Sequence, residues 1–107
     1  MKDTLPIAVA SLAARISAKL WEFPTVSVRG RLSKVTASAA GHCYFTVSDP
    51  SGGISFRCVM WRRFFKTSKV APVNGMAAVV TGRVELRGDT GCVQLRVTRV
   101  AVWEGES

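Results

Sequence analysis

The sequence predicts a mainly β protein, a small five-stranded barrel with an N-terminal α-helix and a short helix or irregular crossover between strands three and four. Three observations predict it. Five stretches alternate apolar and polar residues with the two-residue period of a strand. One stretch near the N-terminus repeats its apolar residues at helical spacing instead. Gly30 and Gly82 each stand inside a strand stretch, where barrel strands must bend sharply. At 107 residues the chain has room for one domain with one modest core, read as a helix over 1–23, a barrel over 24–103 and a tail over 104–107.

In chain order, Leu5, Val9, Leu12, Ile16 and Leu20 form one stripe of an amphipathic helix. It is expected to start near Asp3 or Thr4, either of which can cap it, with Pro6 in the first turn. Its end is expected near Glu22, because Pro24 biases Phe23 to an extended backbone. In TVSVRGRLSKV, Val26, Val28, Gly30 and Leu32 alternate with Ser27, Arg29, Arg31 and Ser33, so the first strand is apolar inside and basic outside. After the loop TASAAG, the stretch GHCYFTVSD sends Cys43, Phe45 and Val47 inward and His42, Tyr44 and Thr46 outward. The turn SDPSGG joins it to ISFRCVMW, in which Ile54, Phe56, Cys58 and Met60 share one parity and Ser55, Arg57, Val59 and Trp61 the other. RRFFKTSKVAPVNG lacks clean alternation and fits the crossover. MAAVVTGRVELR and CVQLRVTRVAVW are the last two strands, joined by a glycine-rich hairpin at GDTG. Five strands with the crossover between the third and fourth is the arrangement of the OB-fold, with an SH3-like barrel or a split sheet with a packed helix as the competing architectures.

Fifteen Lys and Arg against seven Asp and Glu give a formal net charge of +8 and a pI near 10.3. That balance favours polyanionic partners, nucleic acid first and an anionic membrane surface second. No segment is apolar for long enough to span a bilayer, and no membrane role is expected. Asp3 and Pro6 spoil a signal-peptide reading of the first residues. Three cysteines at wide spacing, with no CxxC and a single histidine, offer neither a disulfide framework nor a zinc site. Cys43 and Cys58 read as buried small hydrophobes in a reducing, cytoplasmic setting. Five of the seven acids fall at termini or in turns and Glu22 ends the helix, and Walker, GxSxG and HExxH motifs are absent from the sequence, so no catalytic residue, metal or cofactor is expected.

On an OB barrel, strands two and three and the loops beside them form the usual oligonucleotide face. His42, Tyr44, Arg57 and Trp61 would share it, with Arg29 and Arg31 on the adjoining strand. Rings stack on bases of any identity while cations track phosphates, which is what sequence-tolerant single-strand binding requires. Each residue also has a structural reading. Tyr44 can support Arg57 across the ladder, Trp61 can close the barrel bottom against Phe64 or Phe65, His42 can cap a turn, and the arginines can form a solvated face. Arg62, Arg63, Lys66 and Lys69 make a basic run around Phe64 and Phe65, which would anchor a short helix while the cations line a phosphate path.

The order and spacing of VRGRLSKV, GHCYFTVSD, ISFRCVMW and NGMAAVVTGRVEL, after a helix ending in WEFP, resemble the N-terminal OB domain of the exodeoxyribonuclease VII large subunit, over about residues 5–100. The resemblance implies a bacterial protein that binds single-stranded DNA without cleaving it, since the sequence stops where the family's nuclease region would begin. It carries over Arg29, Arg31, His42, Tyr44, Arg57 and Trp61 as DNA contacts, to which geometry adds the loop cations Lys34 and Arg87. Arg31 stands where the family usually has an acid, and Cys43 where it often has a bulky aromatic. RNA is a further candidate ligand. The alternative function is a regulatory module docking on a replication, repair, conjugation or nuclease protein through a strand edge or the apolar stripe of the helix.

Overall fold

A computed structural model describes residues 4–104, so the cap at Asp3 and all but the first residue of the tail lie outside the described residues. The elements are α1 (Val9–Leu20), β1 (Val26–Ala37), β2 (Cys43–Ser48), β3 (Ser55–Met60), α2 (Arg62–Phe65), β4 (Ala77–Leu86) and β5 (Val93–Val102). The strands close into a barrel in the order β1-β2-β3-β5-β4. Neighbours are antiparallel except β3 and β5, which the crossover through α2 brings together in parallel. The five-stranded barrel predicted from the alternation is the one found.

β1 is long because it serves two neighbours, pairing with β4 over Val26–Arg31 and with β2 over Arg31–Ala37. Gly30 sits where these pairings meet. A Cβ there would run into the Ser48 carbonyl oxygen and lie 2.7 Å from Val47 Cγ2. A bulge follows between Ser33 and Thr36, with Lys34 in the left-handed region at φ 55°. Lys34, expected in a loop, therefore lies inside β1, at the kink that re-aims its side chain. A second irregularity lies opposite Thr81 and Gly82, where the ladder passes from Arg99 to Val97 and leaves Thr98 as the extra residue. It resets the alternation, so Val97 and Val100 are both buried although three positions apart.

The core is one cluster of Leu32, Cys43, Phe45, Val47, Cys58, Met60, Ala78, Val80, Leu95, Val97 and Val100, with Phe64 and Phe65 packed against it. The anchoring role expected for those phenylalanines is what they perform. Of the apolar parity of β3, Ile54 and Phe56 are exposed, while Val59 on the other parity is fully buried between its register partners Tyr44 and Arg96. Cys43 and Cys58 are buried and Cys92 is exposed. Burial pushes the Cys58 thiol up to about 12 and raises Cys43 as well. At pH 8 the Cys58 thiolate fraction is on the order of one in ten thousand, and the thiolate is the reactive form. A thiol titration of the native protein is thus expected to label Cys92 alone, with Cys43 and Cys58 reacting only on unfolding. Three equivalents released in native buffer would contradict a closed barrel.

The helix differs from its expected bounds. It begins at Val9, after an Ala8 that is extended (φ −68°, ψ 153°) and has no capping side chain. Leu5 precedes Pro6, which disfavours helical backbone there, and residues 4–8 are irregular. It ends at Leu20, two residues before Glu22. No residue of α1 is buried, and the stripe of Leu5, Val9, Leu12 and Ile16 is exposed. The radius of gyration is 16.0 Å, against about 13 Å for a compact chain of this length; α1 lies against the outside of β4 and does not contribute to the core. No helix of the described residues is long and apolar enough to cross a membrane.

Candidate nucleic-acid interface

The ladder sets the outer face row by row. Thr46 on β2 is paired with Arg57 on β3, and Arg57 with Gln94 on β5. The next row holds Tyr44, Val59 and Arg96. Over these rows lies a cleft of about 300 Å³ lined by Lys34, Tyr44, Thr46, Arg57, Arg87 and Gln94, with Phe45 and Cys58 beneath. Lys34 enters from the β1 bulge and Arg87 from the β4–β5 hairpin, so two segments distant in sequence bring cations to either side of Tyr44 and Arg57. Tyr44 is 39% exposed, which leaves ring surface open to the cleft. Gln94 is the buried polar residue beside it, and its Nε2 donates to Glu85 Oε2 at 2.6 Å. Arg87 forms a two-point pair with Asp89, at 3.1 and 2.7 Å, that holds the Asp89 carboxyl below its ordinary pKa. Both partners are solvent-exposed, so the pair fixes the arginine's direction with little net stabilisation.

The other candidates lie outside this cleft. His42 and Trp61 sit at the α2 end of β2 and β3, ring edge to ring face at 4.8 Å and 86°. His42 Nδ1 accepts the Arg62 N–H at 2.9 Å, and Trp61 is the N-cap residue of α2. Their contacts hold the start of α2, the capping role open to His42 in the sequence; Trp61 meets His42. Arg62, Arg63 and Lys66 are exposed on α2, whose contacts are with β5, and Arg63 lies 4.6 Å over the Phe64 ring. None of the three lines the cleft. Arg31 donates to Gly75 O at 2.6 Å and lines two other clefts, one with Ala77 and Trp103 and one with Ser48 and Asp49. Its partner Ser48 lies one outward row from Thr46, and Arg31 does not line the main cleft. Arg29 is further along β1, its guanidinium 5.2 Å over the Trp103 ring.

A model of the OB-fold nucleic acid binding domain matches residues 7–101. The chain belongs to this family of OB-fold nucleic acid binding domains. It is similar to the exodeoxyribonuclease 7 large subunit of Geobacter sulfurreducens, 38% identical over 92 residues covering 85% of this chain and 20% of that protein. In Thioalkalivibrio sulfidiphilus the same subunit is 39% identical over 75 residues, 70% of this chain and 16% of the relative. The family resemblance carried by the strand motifs is thereby borne out, and the chain spans about a fifth or less of the length of these curated relatives. Among solved structures, an OBody bound to hen egg-white lysozyme has the same fold, with a TM-score of 0.58 at 23% identity over 84% of this chain and 90% of that one.

Within this OB-fold family member, sequence reasoning missed Gln94 as a cleft residue. In CVQLRVTRVAVW it alternates with Val93 and Leu95, as an outward residue would, but only the parallel pairing of β5 with β3 sets it beside Arg57. It also missed the cluster of Trp21, Arg83 and Arg96, in which the two guanidiniums lie 4.3 and 5.9 Å from the indole centroid. The signal available was the aromatic pair in WEFP, read there only as a helix end.

Proposed function

We propose that this chain binds single-stranded DNA through the β2–β3 face, largely without regard to base sequence and without cleaving it. The observation that carries this reading is the convergence of Lys34, Arg57 and Arg87 on one cleft around the open ring of Tyr44. A base stacks on the ring while the cations neutralise the neighbouring phosphates. DNA is preferred over RNA because the related large subunits are named as exodeoxyribonucleases. The absence of cleavage is supported by the acids near the face: Glu85 is tied to Arg96 and Gln94, Asp89 to Arg87, and Asp49 to Ser51, in separate places rather than as a pair that could hold a metal. Arg29, Arg31, His42, Trp61 and the α2 cations remain as outer contacts for a longer strand.

The test is a fluorescence-anisotropy titration with end-labelled oligo-dT, its duplex and oligo-U at two salt concentrations. Three cleft cations predict a log-log salt slope of about −2 for the single strand, at about −0.7 per phosphate neutralised. Equal affinity for oligo-U would widen the ligand to RNA, and tighter duplex binding would overturn the single-strand reading. The second reading, a module that docks on a protein of DNA metabolism, is favoured by the exposed Val9, Leu12 and Ile16 on α1 and Leu5 just before it. Absence of binding to every oligonucleotide at low salt would make it the leading one.

A further inference from the structure

The main cleft has a neighbour. Glu85, which accepts from Gln94 in the cleft, also lines a smaller hollow with Trp21, Arg83, Arg96 and Ser17, so one hydrogen bond joins a residue of each. The register gives the same continuity: the row that holds Tyr44 and Val59 runs on to Arg96 on β5 and Arg83 on β4. Partners in a row face the same side of the sheet. From Tyr44 to Arg83 is three inter-strand steps, about 14 Å. Trp21 stands at the end of that path.

The residue is 61% exposed although two guanidiniums lie against its ring. Arg83 lies 4.3 Å from the ring centroid, and its Nη2 donates to the carbonyls of Trp21 at 2.8 Å and Phe23 at 3.1 Å, fixing the turn that carries the side chain. Arg96 approaches the same ring at 5.9 Å while its Nε lies 3.7 Å from Glu85. Both guanidiniums come from the barrel, so the open area is on the ring's outer side. An aromatic ring backed by cations, fixed in direction and facing solvent, is suited to stack a base, and guanidiniums beside it meet the adjoining phosphate.

We infer that Trp21 is a second nucleobase-stacking platform, reached by a single strand that leaves the main cleft across β5 and passes Arg96; this rests on the single-strand reading proposed above. The ligand class is a single-stranded oligonucleotide too long for the Tyr44 cleft alone. The carboxylate of Glu85 is the one acid lining the hollow among the described residues, and its pairing with Arg96 and Gln94 lowers its repulsion of a passing phosphate.

The experiment compares oligo-dT of about 3 and about 10 nucleotides, bracketing the shorter site sizes of OB domains. In the Trp21→Ala protein the trimer affinity is expected to stay unchanged while the decamer affinity falls about tenfold, within the range for one stacked base. The salt slope should not move, because no cation is lost, whereas Arg96→Ala should flatten the decamer slope by about 0.7. Trp21→Phe, which keeps a ring, is expected to recover most of the loss. In a protein whose sole tryptophan is Trp21, through Trp61→Phe and Trp103→Phe, the decamer should quench the emission and the trimer should not. Equal losses at both lengths would mean that Trp21 acts through the fold, and an unchanged decamer affinity would remove it from the site; either overturns the inference. Failure of the wild-type protein to bind either length would instead overturn the single-strand reading itself.

Discussion

Replacing Gly82 with alanine is expected to destabilise the barrel by about 3 kcal/mol, the upper part of the usual range for overpacking. A Cβ at Gly82 would run into the Arg96 carbonyl oxygen and lie 2.8 Å from its carbon and 2.9 Å from Val97 Cα. All three are backbone atoms of the strand that pairs with β4, so no side chain can rotate away. Relief requires β5 to move, and β5 is also the strand that closes the barrel against β3. Such a loss is a large fraction of the 5–15 kcal/mol that holds a typical domain together. Gly88 is the internal control: a Cβ there meets nothing within 4 Å and its φ is not positive. Gly88→Ala should fall within about 0.5 kcal/mol of the parent or stabilise slightly, since alanine narrows the unfolded ensemble. Urea unfolding followed by tryptophan emission measures both. Equal midpoints for the two variants would refute the close strand crossing at Gly82.

The same crossing shows why the fold was legible. Glycine inside an alternating strand pattern has few explanations, and at both Gly30 and Gly82 the structure has another backbone or its packed side chain against the missing Cβ. Alternation also placed Cys43, Phe45 and Val47 inside correctly, because a single residue of slip would have turned all three to water. Alternation fails where the ladder is irregular. Neither the bulge that takes Lys34 out of a loop and into β1, nor the one that buries Val100, has a local sequence mark, since each is set by pairing with a distant strand. The start of α1 was misplaced for a different reason: Thr4 and Pro6 are good residues for a first turn, but no residue of α1 is buried and no side chain caps its start to hold that turn.

The candidate cleft was legible where it depended on face and not where it depended on neighbours. Tyr44 and Arg57 follow from strand parity, and the barrel topology adds Lys34 and Arg87. His42 and Trp61 share that face, yet their partners are each other and the first N–H of α2, which a strand pattern does not contain. The parallel contact of β3 with β5 brings Gln94 to the cleft, and the fold of α1 against β4 brings Trp21 to Arg83. Both juxtapositions join segments far apart in the chain, beyond the reach of any local period.

That division predicts how binding will respond to substitution. Tyr44→Ala should weaken oligo-dT binding by about 1–3 kcal/mol, the value of one stacked base, and leave the salt slope unchanged. Arg57→Ala should weaken it as well, but through the electrostatic component, so that the slope flattens by about 0.7. The two side chains occupy neighbouring rows of one cleft, Tyr44 opposite Val59 and Arg57 opposite Thr46. If one nucleotide spans both, the double variant should depart from additivity, as residues sharing a ligand commonly do. His42→Ala is the contrasting case. It removes the acceptor of the Arg62 N–H, so about 1 kcal/mol of stability should be lost with little change in affinity for a short oligo-dT. The measurements are salt-dependent titrations and urea melts on the three single variants and the Tyr44, Arg57 pair. Wild-type affinity in Tyr44→Ala would remove the ring from the site. A large affinity loss in His42→Ala at unchanged stability would move the centre of the interface from the Lys34, Arg57 and Arg87 cleft to the His42 and Trp61 end of the same face.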